Sequence, residues 1–160
     1  MTIDYTVLQT EIINLMADHK NMALATSAER RTTCRMVSVV SDGLDVYFQT
    51  SANSLKYKQI ADNPNVALCF GNVSFEGTAE ILGHPLAEAV FCDQYRATHP
   101  HSFERYSLLQ EERVIYVRIK LAVVWKYIDG KPCQEILDPG RPSAGRIWIN
   151  TSRRTNESRT

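Results

Sequence analysis

The chain has 160 residues, 44% of them apolar and 22% charged, which is the size and make-up of one globular domain rather than a disordered chain. Its 18 basic residues offset 18 acidic ones, and a zero net charge weighs against nucleic acid as a partner, because gripping phosphates calls for a basic excess. There is no run of about 18 apolar residues to span a membrane, and the acids in MTIDYTVLQTEIINLM do not suit a secretory leader, so a cytoplasmic location is expected.

In chain order, residues 4–19 predict an amphipathic helix, with Leu8, Ile12, Leu15 and Met16 on one face. Either Asp4 or a Thr6–Gln9 capping box starts it. The pattern then changes to strands. Met22–Ser27 is short and apolar. Thr33–Ser41 and Leu44–Thr50 alternate around the turn Ser41-Asp42-Gly43 and predict a hairpin. Residues 53–62 predict a helix, stopped by Asn63-Pro64-Asn65. Val66–Phe70 and Val73–Ile81 predict two strands around Gly71-Asn72, and residues 84–98 predict a helix. Ile115–Leu121 and Val123–Tyr127 predict two more strands, closed by Asp129-Gly130. Residues 138–143 are loop chemistry, and the apolar-free SRRTNESRT reads as a frayed tail, with Arg153 and Arg154 in it. The sum is six or seven mainly antiparallel strands with about three helices, most economically closed as a small barrel.

Several kinds of chemistry find no support. The motifs GxGxxG and GxxxxGK[ST] are absent. Cys34, Cys69, Cys92 and Cys133 lie far apart, without CxxC or a neighbouring His, so no metal site is expected. Cys34 and Cys69, in apolar runs, are expected to be buried thiols. His19, His84, His99 and His101 form no pattern with Ser or Cys that suggests acyl transfer, and His99-Pro100-His101 reads as a turn at a helix end. Trp125 in its strand stripe reads as packing, whereas Trp148 sits in a segment with little core of its own.

The segment YFQTSANSLKYK (47–58) is more informative. It passes from a strand end through Thr50, Ser51 and Ser54 into a helix whose first turn carries Lys56 and Lys58. Cations there oppose the helix dipole. A phosphate at the helix end would account for them, and so would a solvated lysine face behind a plain Ser or Asn cap. Arg35 favours the phosphate: counted outward from Asp42-Gly43, it and Thr50 reach the same end of the predicted hairpin, and Arg is suited to bidentate phosphate contact.

Four blocks in order, RMVSVV (35–40), YFQTSANSLK (47–56), NPNVALCF (63–70) and FEGTAEILG (75–83), resemble the pyridoxamine 5'-phosphate oxidase-related family over roughly residues 8–130. The stretch 84–107 is similar to a helical insertion of its small members. The resemblance implies a Greek-key, FMN-binding split β-barrel over residues 1–138, with 139–160 as a C-terminal extension. It implies that Arg35, Ser54 and Lys56 hold the FMN phosphate, with Gln49, Thr50 and Ser51 beside the ribityl and phosphate. Met36, Val37 and Ser38 would run along the isoalloxazine edge, and Asn72 would stand near the ring. It further implies a homodimer with flavin sites between subunits, and a small substrate with NAD(P)H as a possible reductant. No catalytic side chain is assigned. Leu55 stands where the true oxidase has an arginine, and residues 146–160 do not align with its substrate-binding end, so pyridoxamine-phosphate oxidation is not expected. The alternatives are a flavin-binding electron-transfer, sensor or storage protein, and a related barrel holding heme or a deazaflavin.

Overall fold

Asp4 starts the first helix: its Oδ1 accepts from the Val7 amide at 2.9 Å, and α1 (Tyr5–Ala17) follows. Leu8, Ile12 and Met16 recur at helical spacing and are buried against the sheet. The Thr6–Gln9 box does not form, and Gln9 donates to the Tyr5 hydroxyl instead. The structure, a computed structural model, describes residues 1–151; the tail with Arg153 and Arg154 lies outside the described residues.

Nine strands are present among the described residues: β1 (Asn21–Ala28), β2 (Arg31–Ser38), β3 (Val40–Asp42), β4 (Asp45–Ser51), β5 (Asn65–Phe70), β6 (Val73–Ile81), β7 (Glu112–Ile128), β8 (Lys131–Asp138) and β9 (Ser143–Trp148). They form one antiparallel sheet in the order β2-β1-β5-β6-β7-β4-β3, with β8 and β9 continuing from the second half of β7. Two predicted strands merge into the 17-residue β7, the predicted run Thr33–Ser41 divides into β2 and β3, and β8 and β9 are additional. The sheet therefore continues past residue 138.

The predicted hairpin is only partly present. Val40, Ser41 and Asp42 pair with β4 around the Asp-Gly turn, but β2 pairs with β1 instead, placing Arg35 opposite Leu24. The break falls after Val39, whose amide makes a last rung to the Lys20 carbonyl at 2.9 Å before Val40 pairs with Tyr47 of β4. β2 is held by the two-residue turn Glu29-Arg30, both at positive φ (49° and 64°), the geometry of a type I′ turn. That turn has no Gly or Asn to announce it. Consecutive strands thus end on opposite free edges of the sheet, β2 on one and β3 on the other, and the sheet is not closed, in keeping with the split β-barrel that the resemblance implies.

The curled sheet encloses Met22, Leu24, Val46, Phe48, Leu68, Phe75, Ile115, Val117 and Leu137, which α1 and Ile60 of α2 (Leu55–Asp62) cover. A bulge at Glu76/Gly77 lets β6 follow the long β7. A Cβ on Gly77 would lie 2.8 Å from the Arg118 carbonyl oxygen, so this position needs glycine. The predicted helix at 84–98 is a 3-10 turn (Pro85–Ala87) followed by α3 (Ala89–Thr98), and α4 (Pro100–Tyr106) follows. His99 ends α3 and Pro100 opens α4, as the turn reading of that tripeptide anticipates. Phe91, Cys92, Tyr95 and Phe103 form a second apolar cluster on Val40 and Val114.

All four cysteines are free, and the burial expected of Cys34 and Cys69 is overturned: both are exposed. Strand alternation is the reason, since Val37 and Leu68 take the inward positions and leave Cys34 and Cys69 outward. Trp125 likewise points outward from β7 and is not core packing. No helix among the described residues is long and apolar enough to cross a membrane.

Candidate anion and cofactor site

The split brings together the residues that the sequence singles out. β4 ends at Thr50 and Ser51, and α2 begins immediately beyond them. Ser54 is its N-cap, the hydroxyl accepting from the Tyr57 amide at 3.3 Å. The Thr50 and Ser54 hydroxyls lie 3.0 Å apart, and Lys56 Nζ donates to Thr50 Oγ1 at 3.0 Å. Ser51 Oγ accepts from the Asn53 amide at 3.1 Å and shapes the same turn.

Arg35 joins this cluster by a route different from the predicted one. It comes from β2 on the opposite side of the split, close enough that its charge lowers the pKa of Lys56. Its Nη1 donates to the Leu24 carbonyl at 3.1 Å and to Thr26 Oγ1 at 2.7 Å, and its Nη2 donates to Thr33 Oγ1. Both threonine hydroxyls donate at 2.7 Å to Gln59 Oε1 on α2. Sequence reasoning missed Thr26, Thr33 and Gln59. Thr26 and Thr33 pair directly across β1 and β2, a register set by the unannounced Glu29-Arg30 turn. The available signal was Gln59 itself, an amide one turn beyond Lys56 and next to the buried Ile60.

The electrostatics of the cluster are unusual. Burial lowers the pKa of Lys56 and repulsion from Arg35 lowers it further, while Glu112 pulls the other way. Burial also lowers that of Arg35, against a smaller opposing effect of Cys34. Glu112 is itself raised, by burial and by neighbouring Glu111, with Lys56 and His84 opposing. Neither Arg35 nor Lys56 forms an ion pair among the described residues. Two partly desolvated cations thus face each other among hydroxyl groups at a helix N-terminus. Such an arrangement is costly when empty and suited to an oxyanion.

Other predicted residues lie around this cluster. Gln49 accepts from Ser107 Oγ at 2.7 Å, which ties β4 to the end of α4. Met36, Val37 and Ser38 follow Arg35 along the edge strand β2. Met36 is 64% exposed, Val37 is buried, and Ser38 donates to Asn21 Oδ1 at 3.3 Å. Asn72 is not brought into the cluster. It sits in the β5–β6 turn, two strands from Ser38 at the same end of the sheet, and donates to the Trp125 carbonyl at 2.6 Å.

A groove of about 720 Å³ lies elsewhere, between Asp45, Tyr116, Arg118, Lys120 and Arg141. Arg141 there is paired with Asp138, and Arg118 and Lys120 are exposed to solvent, so it has no comparable desolvated charge. Among the described residues no three metal-ligating side chains converge.

Comparison with known proteins places this geometry in a family. By fold, the chain is similar to ChuZ of Campylobacter jejuni (TM-score 0.72, 15% identity, 86% of this chain and 62% of that one). It is also similar to a FAD-binding protein of Mesorhizobium loti (TM-score 0.57, 12% identity, 76% and 94% covered). A third similar structure is HutZ, a heme storage protein of Vibrio cholerae (TM-score 0.58, 16% identity, 70% and 89% covered). A search of curated proteins gives no match. The family model for pyridoxamine 5'-phosphate oxidase matches residues 8–126, which include Arg35, the whole Thr50–Lys56 turn and Gln59. On that match, over most of its length, the chain belongs to the pyridoxamine 5'-phosphate oxidase family.

Proposed function

We propose that the protein binds FMN at the split and acts as a flavin-dependent oxidoreductase on a small substrate. The observation that carries this reading is the pair Arg35 and Lys56: desolvated, mutually repelling, and without an ion-pair partner among the described residues. The terminal phosphate of FMN is the part of the cofactor that such a pair fits, with Thr50, Ser51 and Ser54 as hydroxyl donors. β2 is a free edge strand: Val37 turns its backbone groups to Met22 of β1, so the N–H and C=O groups of Met36 and Ser38 are the ones open to the polar rim of the ring. Gln49 would lie beside the ribityl chain and Asn72 near the ring. Bound FMN supplies hydride and electron transfer, while this chain's residues bind and orient it.

A homodimer belongs to the same proposal. Cys34 and Met36 on β2 share an outward sheet face with Ala67 and Cys69 on β5. No described residue covers that apolar face, and a second copy would bury it. Sedimentation measures this directly, and a monomer at all concentrations would overturn it.

Heme is the second reading, favoured by the fold likeness to HutZ. Absorption spectra of the purified protein titrated with FMN and with hemin separate the two. The paired near-ultraviolet and blue bands of oxidised flavin, bleached by NADH or NADPH, support the oxidoreductase. Flavin bands that no reductant bleaches point to a carrier, sensor or store. A Soret band without flavin binding overturns the FMN assignment. Pyridoxamine phosphate remains an unexpected substrate, because Leu55 occupies the position of the oxidase's extra phosphate-side arginine and is 41% exposed.

A further inference from the structure

Hydrogen-bond direction around Arg35 shows how its guanidinium is held. Arginine only donates. Thr26 Oγ1 and Thr33 Oγ1 each accept from it, so each hydroxyl must send its own proton elsewhere. Both send it to one atom, Gln59 Oε1, at 2.7 Å. The other end of that amide is fixed as well, since Gln59 Nε2 donates to the Arg31 carbonyl at 3.0 Å. Gln59 is 3% exposed and Thr26 1%, so these are buried polar groups whose partners matter. The bonds occupy both protons of Nη1 and one of Nη2, which leaves the Nε–Nη2 side of the guanidinium to meet a ligand.

We propose that Gln59 is a positioning residue of the anion site, locking Arg35 through Thr26 and Thr33 with a neutral acceptor that leaves the arginine's charge uncancelled. The choice of an amide carries the argument. Some acceptor is required at this point, because two hydroxyl donors converge there. A glutamate has nearly the same shape and would accept both bonds more strongly. It would also place a carboxylate one hydroxyl away from Arg35 and offset the positive field that the site offers an anion. Glutamine orients without neutralising. The geometry also links the two halves of the site. Gln59 lies on the helix whose N-terminus carries Ser54 and Lys56, so one side chain ties the β1–β2 hairpin to the phosphate-facing end of α2.

This inference rests on the reading of the split as a phosphate site, and its test keeps the two failures apart. Affinities for FMN and for riboflavin, which lacks the phosphate, are measured by flavin fluorescence for wild type, Arg35→Ala, Gln59→Glu, Gln59→Leu and the two double variants. Gln59→Glu keeps size and acceptor, so it reports even if Gln59→Leu does not fold. The expected result is that Gln59→Glu and Gln59→Leu each weaken FMN about five- to twentyfold, with riboflavin affinity unchanged, as for loss of a charge-assisted contact. On the Arg35→Ala background Gln59→Leu lowers FMN affinity no further, the signature of two residues acting as one unit, whereas Gln59→Glu keeps only the direct repulsion between its carboxylate and the phosphate. If Arg35→Ala weakens FMN but both Gln59 variants bind like wild type, the positioning role is overturned and the phosphate site stands. The role is also overturned if the Gln59 variants weaken riboflavin equally, or if their effect persists in full without Arg35. If Arg35→Ala leaves the preference for FMN over riboflavin unchanged, or neither flavin binds, the phosphate reading itself fails and takes this inference with it.

Discussion

Two groups of charges in this molecule are built in opposite ways. Around Glu135 on β8, each charge has an opposite partner. Its carboxylate accepts from Lys126 of β7 and Arg146 of β9, and Lys126 also reaches Glu11 of α1 at 2.6 Å. Burial alone would raise the pKa of Glu135, but hydrogen bonds and charges of Lys126 and Arg146 outweigh it and hold it low. Across the sheet, Arg35 and Lys56 are held by hydroxyls, a carbonyl and an amide, and both cations are destabilised. The first arrangement serves folding: it fastens β8, β9 and α1 to β7. The second leaves two cations partly desolvated, a cost that the proposed anion would offset. A desolvated charge held in an ion pair needs no ligand to explain it; partly desolvated cations without an ion-pair partner among the described residues are what single out Arg35 and Lys56 as the candidate site.

The comparison can be broken at either end. Glu135→Ala should have the largest effect, a loss of about 2–4 kcal/mol of stability, because it strands Arg146 and leaves Lys126 only Glu11. FMN affinity of the folded fraction should be unchanged, and denaturant unfolding with a flavin titration checks both. A depressed carboxyl pKa stabilises above its unfolded value of about 4.3 and loses that stability as pH falls through the lower folded value. The acid limb of unfolding should therefore flatten in Glu135→Gln.

The converse change, Arg35→Ala or Lys56→Ala, should weaken FMN by about 1.5–3 kcal/mol and alter unfolding by less than about 1 kcal/mol. The two sites would not be opposites if either variant unfolded the protein as readily as Glu135→Ala does.

A smaller effect lies in pH. Lys56 carries charge only below its pKa, and burial and Arg35 lower that pKa in the free protein. FMN affinity should therefore begin to fall on the alkaline side below the pH at which an ordinary lysine titrates, about 10.4. Glu112, raised by burial, is already ionised there, and Arg35 remains charged, so neither supplies the step. Lys56→Arg should move that fall to higher pH, and an unmoved limb would assign it to another group.

The smallest change is a control. Glu29→Asn with Arg30→Gly fits the two positive-φ positions of the β1–β2 turn and should add about 1 kcal/mol of stability. Flavin affinity should hold, since the register of Thr26, Thr33 and Arg35 is unchanged.

Much of the fold was legible locally. The α1 face, the Asn63-Pro64 stop, the Asp129-Gly130 turn and the alternation of β5 and β6 follow from spacing and turn chemistry. The two ends of β2 were not. At one end, Glu29-Arg30 makes a tight turn with residues that do not advertise one. At the other, the chain leaves the ladder after Val39, in the middle of an unbroken β-rich run. A reading that followed the run to Asp42-Gly43 paired Arg35 with β4 instead of β1 and still brought it to the Thr50–Lys56 turn, because Arg35 on β2 lies close enough to Lys56 to repel it and Lys56 bonds Thr50. Cys34, Cys69 and Trp125 were misjudged because local hydrophobicity does not say which face of a strand looks inward.

The sequence by itself determined the residue types of the proposed anion site: an arginine on a strand, and a Thr-Ser-Ser-Lys turn leading into a helix. Those are properties of side chains and of short-range backbone geometry. Only the tertiary structure decided that Arg35 and Lys56 come close enough to repel with no ion-pair partner among the described residues, and that Gln59 accepts from the two threonines that hold Arg35. Charge compensation and hydrogen-bond direction depend on which strands are neighbours, and pairings between residues dozens of positions apart are settled by the packing of the whole sheet.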